Sequence, residues 1–366
     1  MQEICKKDMC TGCQACANAC PQQCIAMRAD AEGFWYPQVD AARCTDCGLC
    51  RRRCPALQAR AAHETLPKAY ACVYPDEAVR AESSSGGFFT LLTRQVLKSG
   101  GAVCGAAFDA SFGVRHCWAE TLQQARAFRG SKYVQSEIGG AYREAERLLK
   151  AGRTVLFTGT PCQIGGLRSF LAKAYDNLLA VDIICHGVPS PLVWQRYLAE
   201  LARERAVRRV NFRDKQAGWR RFSLAVEFAD GSLYRSSFRE DVYLQGFLQD
   251  LYLRPACYQC RYKTAARDSD LTIADFWGVN KTLPQIDDNQ GTSLVLVQSE
   301  KGREVFASLQ PFLQTARADL TAALRYNVSA TASATPHQER RRFFAGLEEA
   351  KLLSTHISEC LAASKK

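Results

Sequence analysis

From Ser83 onward, short apolar runs alternate with stretches of helical periodicity. Ser83–Gly87 precedes apolar positions at Phe88, Leu91, Leu92 and Val96, the spacing of one helix face, and Gly100-Gly101 ends the pattern. Ala102–Phe108 then reads as a buried strand. Thr154–Phe157 is a second strand, running into Thr158-Gly159-Thr160-Pro161-Cys162, with a helix over Gln163–Lys173. Leu178–Cys185 is a third buried strand, and Pro191 stands at the first position of a helix that reaches about Arg205. Phe222–Ala229 and Ser232–Phe238, joined at Asp230-Gly231, carry a hairpin signal. Leu271–Asp275 and Ser293–Gln298 are further strands, with helices near Lys301–Leu309 and Gln338–Leu353. Strands alternating with helices, plus a hairpin, predict an α/β fold: a mixed sheet flanked by helices on both faces.

The first part of the chain follows a different pattern, set by cysteine. Ten of the 18 cysteines fall within the first 54 residues. Cys10, Cys13, Cys16 and Cys20 are followed by Pro21, and the same C-x2-C-x2-C-x3-C-P run returns as Cys44, Cys47, Cys50, Cys54 and Pro55. This is the bacterial dicluster ferredoxin spacing, in which the fourth cysteine of each run crosses to the other cluster. Cys10, Cys13, Cys16 and Cys54 are then the candidate ligands of one 4Fe-4S cluster. Cys44, Cys47, Cys50 and Cys20 are those of the other. Three thiolates on one tight loop cover three corners of a cubane, so the fourth must arrive from elsewhere. Gly12 and Gly48 let the loops wrap closely. Zinc also binds paired C-x2-C motifs, but it calls for four ligands per site rather than a triple plus a remote Cys-Pro, twice over. Cys5 and Cys24 lie off the ligand register and read as small thiols packed beside the clusters. Arg51–Arg53, between two ligands of the second run, reads as a solvated face that could also raise the cluster potential or dock an acidic electron donor.

These patterns divide the chain into a small N-terminal α+β ferredoxin-type domain (1–58), a linker (59–67) and a large domain in two parts (68–150 and 151–366). Composition adds exclusions. Hydrophobic residues at 47% and charged residues at 23% are ordinary globular values and rule out wholesale disorder. No apolar run approaches the roughly eighteen residues of a membrane span. The N-terminus shows no apolar signal segment, so a cytoplasmic location is expected. The formal charge of +11 favours an anionic partner. Basic residues are spread along the whole chain, and nucleic acid is not expected. No G-x-G-x-x-G follows a strand, which leaves a Rossmann-type nicotinamide site unsupported.

In the large domain, Cys162 and Cys185 each follow the carboxyl end of a predicted strand, where open α/β sheets bind ligands. Cys257 and Cys260 form a lone C-x2-C, which alone suits a redox, structural or metal role equally well. Six further motifs occur in order: Ser84-Ser85-Gly86-Gly87; Gly130-Ser131-Lys132-Tyr133-Val134-Gln135-Ser136; Thr158-Gly159-Thr160-Pro161-Cys162-Gln163; Cys185-His186-Gly187; Phe212-Arg213-Asp214-Lys215 with Gly218-Trp219; and Asp275-Phe276-Trp277-Gly278. Together, over roughly Lys68 to Phe344, they resemble the coenzyme F420 hydrogenase/dehydrogenase beta-subunit family, whose relatives include a plant chlorophyll-derivative reductase.

The resemblance implies an FAD and a third 4Fe-4S cluster, with Cys162, Cys185, Cys257 and Cys260 as its ligands. It implies flavin contacts from Ser84, Ser85, Gly86, Gly87, Lys132, Tyr133, Gln135, Ser136, Thr158, Gly159 and Thr160. Lys132 is the candidate cation beside the flavin N1/C2 carbonyl, and His186 a candidate proton donor. Trp219 and the basic stretch Arg203–Arg221 suit either an anionic substrate tail or a solvated basic edge, and the sequence does not decide between them. The expected function is an iron–sulfur flavoprotein oxidoreductase acting on a deazaflavin or another organic hydride acceptor. Its expected protein partner is an electron donor or acceptor, ferredoxin-like or a larger redox complex. The alternative is an electron-transfer subunit that reduces a partner protein and has no small substrate of its own.

Overall fold

The computed structural model describes residues 3–59 and 65–364. The expected linker falls largely on residues 60–64, outside the described residues. In the N-terminal segment, helix α1 (Ala15–Ala19) packs beside the antiparallel hairpin of β1 (Ile25–Ala29) and β2 (Trp35–Val39). The later strands are β3 (Lys68–Val73), β4 (Ala102–Phe108), β5 (Val114–Ala119), β6 (Ser136–Glu137), β7 (Val155–Gly159) and β8 (Leu178–Ile183), then β9 (Val207–Asp214), β10 (Ser223–Phe228), β11 (Leu233–Ser237), β12 (Leu271–Asp275), β13 (Ser293–Val297) and β14 (Gln314–Ala318). The helices used below are α2 (Phe88–Lys98), α3 (Ala141–Lys150), α4 (Pro161–Leu171), α5 (Pro191–Ala202), α6 (Val242–Leu248), α7 (Glu300–Leu309), α8 (Arg340–Ala345) and α9 (Leu353–Ala363).

Nine strands form one mixed sheet in the order β14-β3-β13-β12-β8-β7-β4-β5-β6. Its centre, β4, β7, β8 and β12, is parallel, and antiparallel pairs extend it on both sides. The central strands are mostly apolar because both faces are covered, with polar residues only at Thr158, Asp182, Thr272 and Asp275. Alternate side chains serve the two layers. Val155, Phe157, Leu178 and Ala180 pack with Tyr142, Leu148, Leu149, Ile164 and Leu167 of α3 and α4. Leu156, Leu179 and Val181 pack on the other face with Leu91, Leu92, Phe306 and Leu309 of α2 and α7.

The hairpin β10–β11 pairs with β9 in a separate three-stranded sheet. That sheet packs against α5, α6 and α9. Of the helix expected near Gln338–Leu353, only α8 (Arg340–Ala345) is helical, and the next helix, α9, starts at Leu353. The chain turns at Gly346, where a Cβ would stand 3.0 Å from His356 Cε1, so the ring of the second helix closes over the break.

The N-terminal segment is fixed to the large sheet by polar contacts. Asn18 donates to Gly139 O (2.9 Å) and Gly139 N–H to Gln14 Oε1 (2.8 Å). Ser169 on α4 donates to Arg53 O (2.9 Å), and Arg261 to Pro55 O and Gln58 O (both 2.6 Å). Among the described residues no helix is long and apolar enough to cross a membrane.

Candidate iron–sulfur centres and the adjoining cavity

Positive φ at Gly12 (70°) and Gln14 (61°) curls the Cys10–Cys16 loop into α1, and Gly48 (69°) does the same in the second run. The structure brings Cys10, Cys13, Cys16 and Cys54 together. Burial pushes the Cys13 thiol up to about 12, and the charges of Cys10 and Cys54 add to it. Cys16 is raised by burial and then by Cys13, Cys10 and Cys54. Cys20, Cys44, Cys47 and Cys50 form a second group: Cys50 is raised first by burial and then by the other three. The first group is largely buried, whereas Cys44 and Cys47 are exposed, flanked by exposed Arg43, Arg51 and Arg52. Cys5 sits beside Cys10 and Cys54, and its thiol lowers Cys10 to about 6 and Cys54 to about 7. Cys24 lies 3.4 Å from Cys20, sulfur to sulfur.

A third group gathers from three loops. Cys162 opens α4, whose N-terminus is closed by a capping box between Thr160 and Gln163. Cys185 follows β8, and Cys257 and Cys260 lie on and just after the short turn Pro255–Gln259. All four line one small cavity with Arg254, Lys263 and Arg267. Burial pushes Cys185 and Cys257 up to about 12, and neighbouring thiols of the group add to each. Cys162 is raised by burial, then by Cys260 and Cys185. No three His, Cys, Asp or Glu side chains among the described residues could hold a single metal ion. The fit to a cluster therefore rests on donor chemistry: four thiols, no carboxylate in the lining, and three cations to balance an anionic iron–thiolate group.

Beside it, at the carboxyl ends of β7, β8 and β12, lies a cavity of about 720 Å³. Ser84, Ser85, Gly87, Lys132, Tyr133, Ser136, Thr158, Gly159 and Thr160 line it. Cys185, His186, Gly187, Val188 and Ser329 line both cavities, so one thickness of chain separates the third thiol group from the larger space. His186 Nε2 lies 2.7 Å from Asp250 Oδ1, and the ring stands edge-on to Phe247.

Two residues expected on the cofactor are placed elsewhere. Gly86 is packed on the sheet, where a Cβ would meet Cys72 O at 2.4 Å and Ser293 N at 2.7 Å. Its missing side chain serves sheet packing rather than ligand approach. Gln135 is buried outside the cavity lining and accepts from Arg254 Nη1 (3.2 Å). Lys132 is on the wall, but its ammonium donates to Ala127 O (2.8 Å) and Arg129 O (2.9 Å). Burial lowers it to about 7. Trp219 is fully buried and donates its indole N–H to Ser84 O (3.1 Å), so it braces the serine loop and is not part of the lining.

Residues 152–319 match the family that comprises the carboxyl-terminal part of the beta subunits of coenzyme F420 hydrogenase/dehydrogenase. Residues 9–57 match the 4Fe-4S dicluster domain. The chain carries the carboxyl-terminal domain of the F420 hydrogenase/dehydrogenase beta-subunit family behind a 4Fe-4S dicluster domain. Among solved structures, a chain from the xenon-derivatised F420-reducing [NiFe] hydrogenase complex of Methanosarcina barkeri is similar at 17% identity, with a TM-score of 0.48. The match covers 83% of this chain and 91% of that one. No curated protein sequence matches.

The cavity wall includes further side chains that the sequence motifs left without a role. Arg213 is buried, with Nη2 3.0 Å from Asp275 Oδ2 and its guanidinium over Phe222 (3.9 Å) and Trp277 (4.9 Å). Arg213 and Asp275 both sit in quoted motifs, but nothing in the motifs indicates that they meet. His116, on a strand the apolar pattern did not reveal, lies 2.8 Å from Ser136 Oγ through Nδ1 and 2.9 Å from Thr158 O through Nε2. A carbonyl only accepts, so Nε2 carries the proton and Nδ1 accepts from the serine.

Burial pulls His116 from 6.5 down to about 4. The unfolded chain therefore takes up this proton before the folded chain does. The contribution to stability is complete above pH 6.5, falls as pH drops from 6.5 to 4, and amounts to about 3 kcal/mol. His116→Gln is expected to flatten that part of the stability-versus-pH curve, as followed by chemical unfolding at a series of pH values.

Proposed function

We propose that the protein is an iron–sulfur flavoprotein oxidoreductase with three 4Fe-4S clusters and one FAD. In this reading it exchanges hydride with a deazaflavin of the coenzyme F420 type or another organic acceptor. The observation that carries the reading is the order of the thiol groups in space. Cys44 and Cys47 are at the surface and the Cys10 group is buried behind them. Cys13 and Cys162 feel one another's charge, and the Cys162 group shares a wall with the large cavity. Clusters carry single electrons and a flavin pairs them for hydride transfer.

The chain's own residues supply the surroundings. Ser84, Ser85 and Gly87 line the cavity at the start of α2, Thr158–Thr160 lines the side toward Cys162, and His186 stands on the wall between the two cavities. Exposed Arg43, Arg51 and Arg52 favour an acidic protein donor at Cys44 and Cys47.

The test is anaerobic mixing of oxidised holoprotein with a reduced, strongly acidic [2Fe–2S] ferredoxin, following cluster and flavin absorbance separately. The clusters are expected to reduce first and the flavin after them. Added salt, or Arg51→Glu with Arg52→Glu, should slow the first step. A flavin that stays oxidised while the clusters reduce would contradict the electron path. A reduced flavin that turns over no deazaflavin would favour a subunit that passes its electrons to a partner protein.

A further inference from the structure

Arg254 is fully buried, and among the described residues no carboxylate pairs with it. Its guanidinium is nevertheless fully engaged. Nε donates to Cys10 O (2.6 Å), Nη1 to Gln135 Oε1 (3.2 Å) and Nη2 to Trp35 O (3.0 Å). Nη2 also lies 3.6 Å from Cys10 Sγ. The guanidinium stacks on Tyr36 at 4.2 Å. The loop has been shaped around it: a Cβ on Gly12 would stand 2.9 Å from Nη1 and 2.5 Å from Gln135 Nε2. On its other side Arg254 lines the cavity of the third thiol group, three residues before Cys257.

A cation taken out of water needs a counter-charge, and a lone buried guanidinium is strongly unfavourable without one. Thiolates able to carry negative charge lie on both sides, Cys10 at 3.6 Å and Cys257 across the lining of the third group's cavity. Charge and hydrogen bonds at the sulfurs are among the levers that set an iron–sulfur potential. We infer that Arg254 is a positioning residue that clamps the first and third thiol groups together and, through its charge beside Cys10, raises the reduction potential of the cluster on the first group. This rests on the three-cluster reading above. Each added electron makes a cluster more negative, so a fixed positive charge favours the reduced form. The buried middle cluster thereby becomes an easier stop for electrons arriving from the exposed one.

Three substitutions separate a structural clamp from an electrostatic one. Gln135→Glu keeps the side-chain shape and the bond to Nη1 while neutralising the guanidinium. Arg254→Gln removes the charge outright, and Arg254→Lys keeps it. The measurement is a redox titration of each anaerobically purified full-length protein, followed by electron paramagnetic resonance, with iron counted in parallel. At full iron content, the cluster on the first group is expected to shift furthest to lower potential in both Gln135→Glu and Arg254→Gln, the cluster on the third group by less, and the surface cluster is expected to stay in place. Arg254→Lys should recover most of that shift. Unmoved potentials in Gln135→Glu at full iron content would overturn the electrostatic role, even if Arg254→Gln fails to fold. A wild-type protein without the third cluster would sink the functional reading and this inference with it, whereas unmoved potentials at full iron sink the inference alone.

Discussion

Cys257→Ser is expected to remove about four of roughly twelve irons while leaving the eight of the N-terminal clusters in place. The two sites depend on different parts of the chain. The N-terminal thiols come from two local runs and close on one another within the first 54 residues. The third group draws on a helix N-terminus, a strand end and a turn that only the folded sheet brings together. Cys257 receives the Val188 N–H at 3.4 Å, and burial holds its thiol neutral until about 12 unless a metal takes it. A serine there fits the space but supplies a far poorer ligand for iron. Electrons supplied by a protein donor should then stop at the N-terminal clusters. The flavin should still bleach with a small reductant that reaches the cavity directly. An unchanged iron count, with the flavin still reduced by the protein donor, would remove Cys257 from the path.

The largest effect on stability is expected from Arg267→Met. Arg267 and Asp182 are both essentially inaccessible, with Nη1 3.5 Å from Oδ2. Arg267 also donates to Thr264 O (3.0 Å), Ile183 O (2.9 Å) and Ala330 O (3.2 Å), tying the end of β8 to two loops beside the third thiol group. Burial already raises the Asp182 carboxyl, and Arg267 is the charge that offsets this. Losing one partner leaves the other charge uncompensated, at a cost of about 3–5 kcal/mol. Pairing Arg267→Met with Asp182→Leu should recover a large part, because the pair is then replaced by apolar packing. The check is anaerobic chemical unfolding of the single and double variants. A loss under about 1 kcal/mol in Arg267→Met would show that the pair contributes little.

How much of this could be read from the chain depended on range. The cysteine runs are local and carry their own geometry, so the N-terminal groups were legible from spacing. Strands β4 and β8 were legible because burial on both faces leaves a mostly apolar run, broken in β8 only by Asp182. Strands β5 and β9 were not: Arg115 and His116 interrupt one, and Arg208 and Arg209 the other, although Val210 and Phe212 face the core. The sheet that the hairpin joins is decided by pairing with β9, which a local pattern cannot show. Arg254 and His116 were illegible for the same reason. A buried polar residue is stable only through partners far away in sequence, such as Cys10 for the arginine and Thr158 for the histidine. Gly86 misled because a helix-leading glycine pair looks like room for a ligand, while here one of the two makes room for the backbone of Cys72 and Ser293.

The most direct test of the account is the count of iron, sulfide and released flavin per chain after anaerobic purification. About twelve irons, matching sulfide and one FAD are expected. About eight irons without flavin would leave the dicluster domain intact but contradict both the third cluster and the flavin cavity.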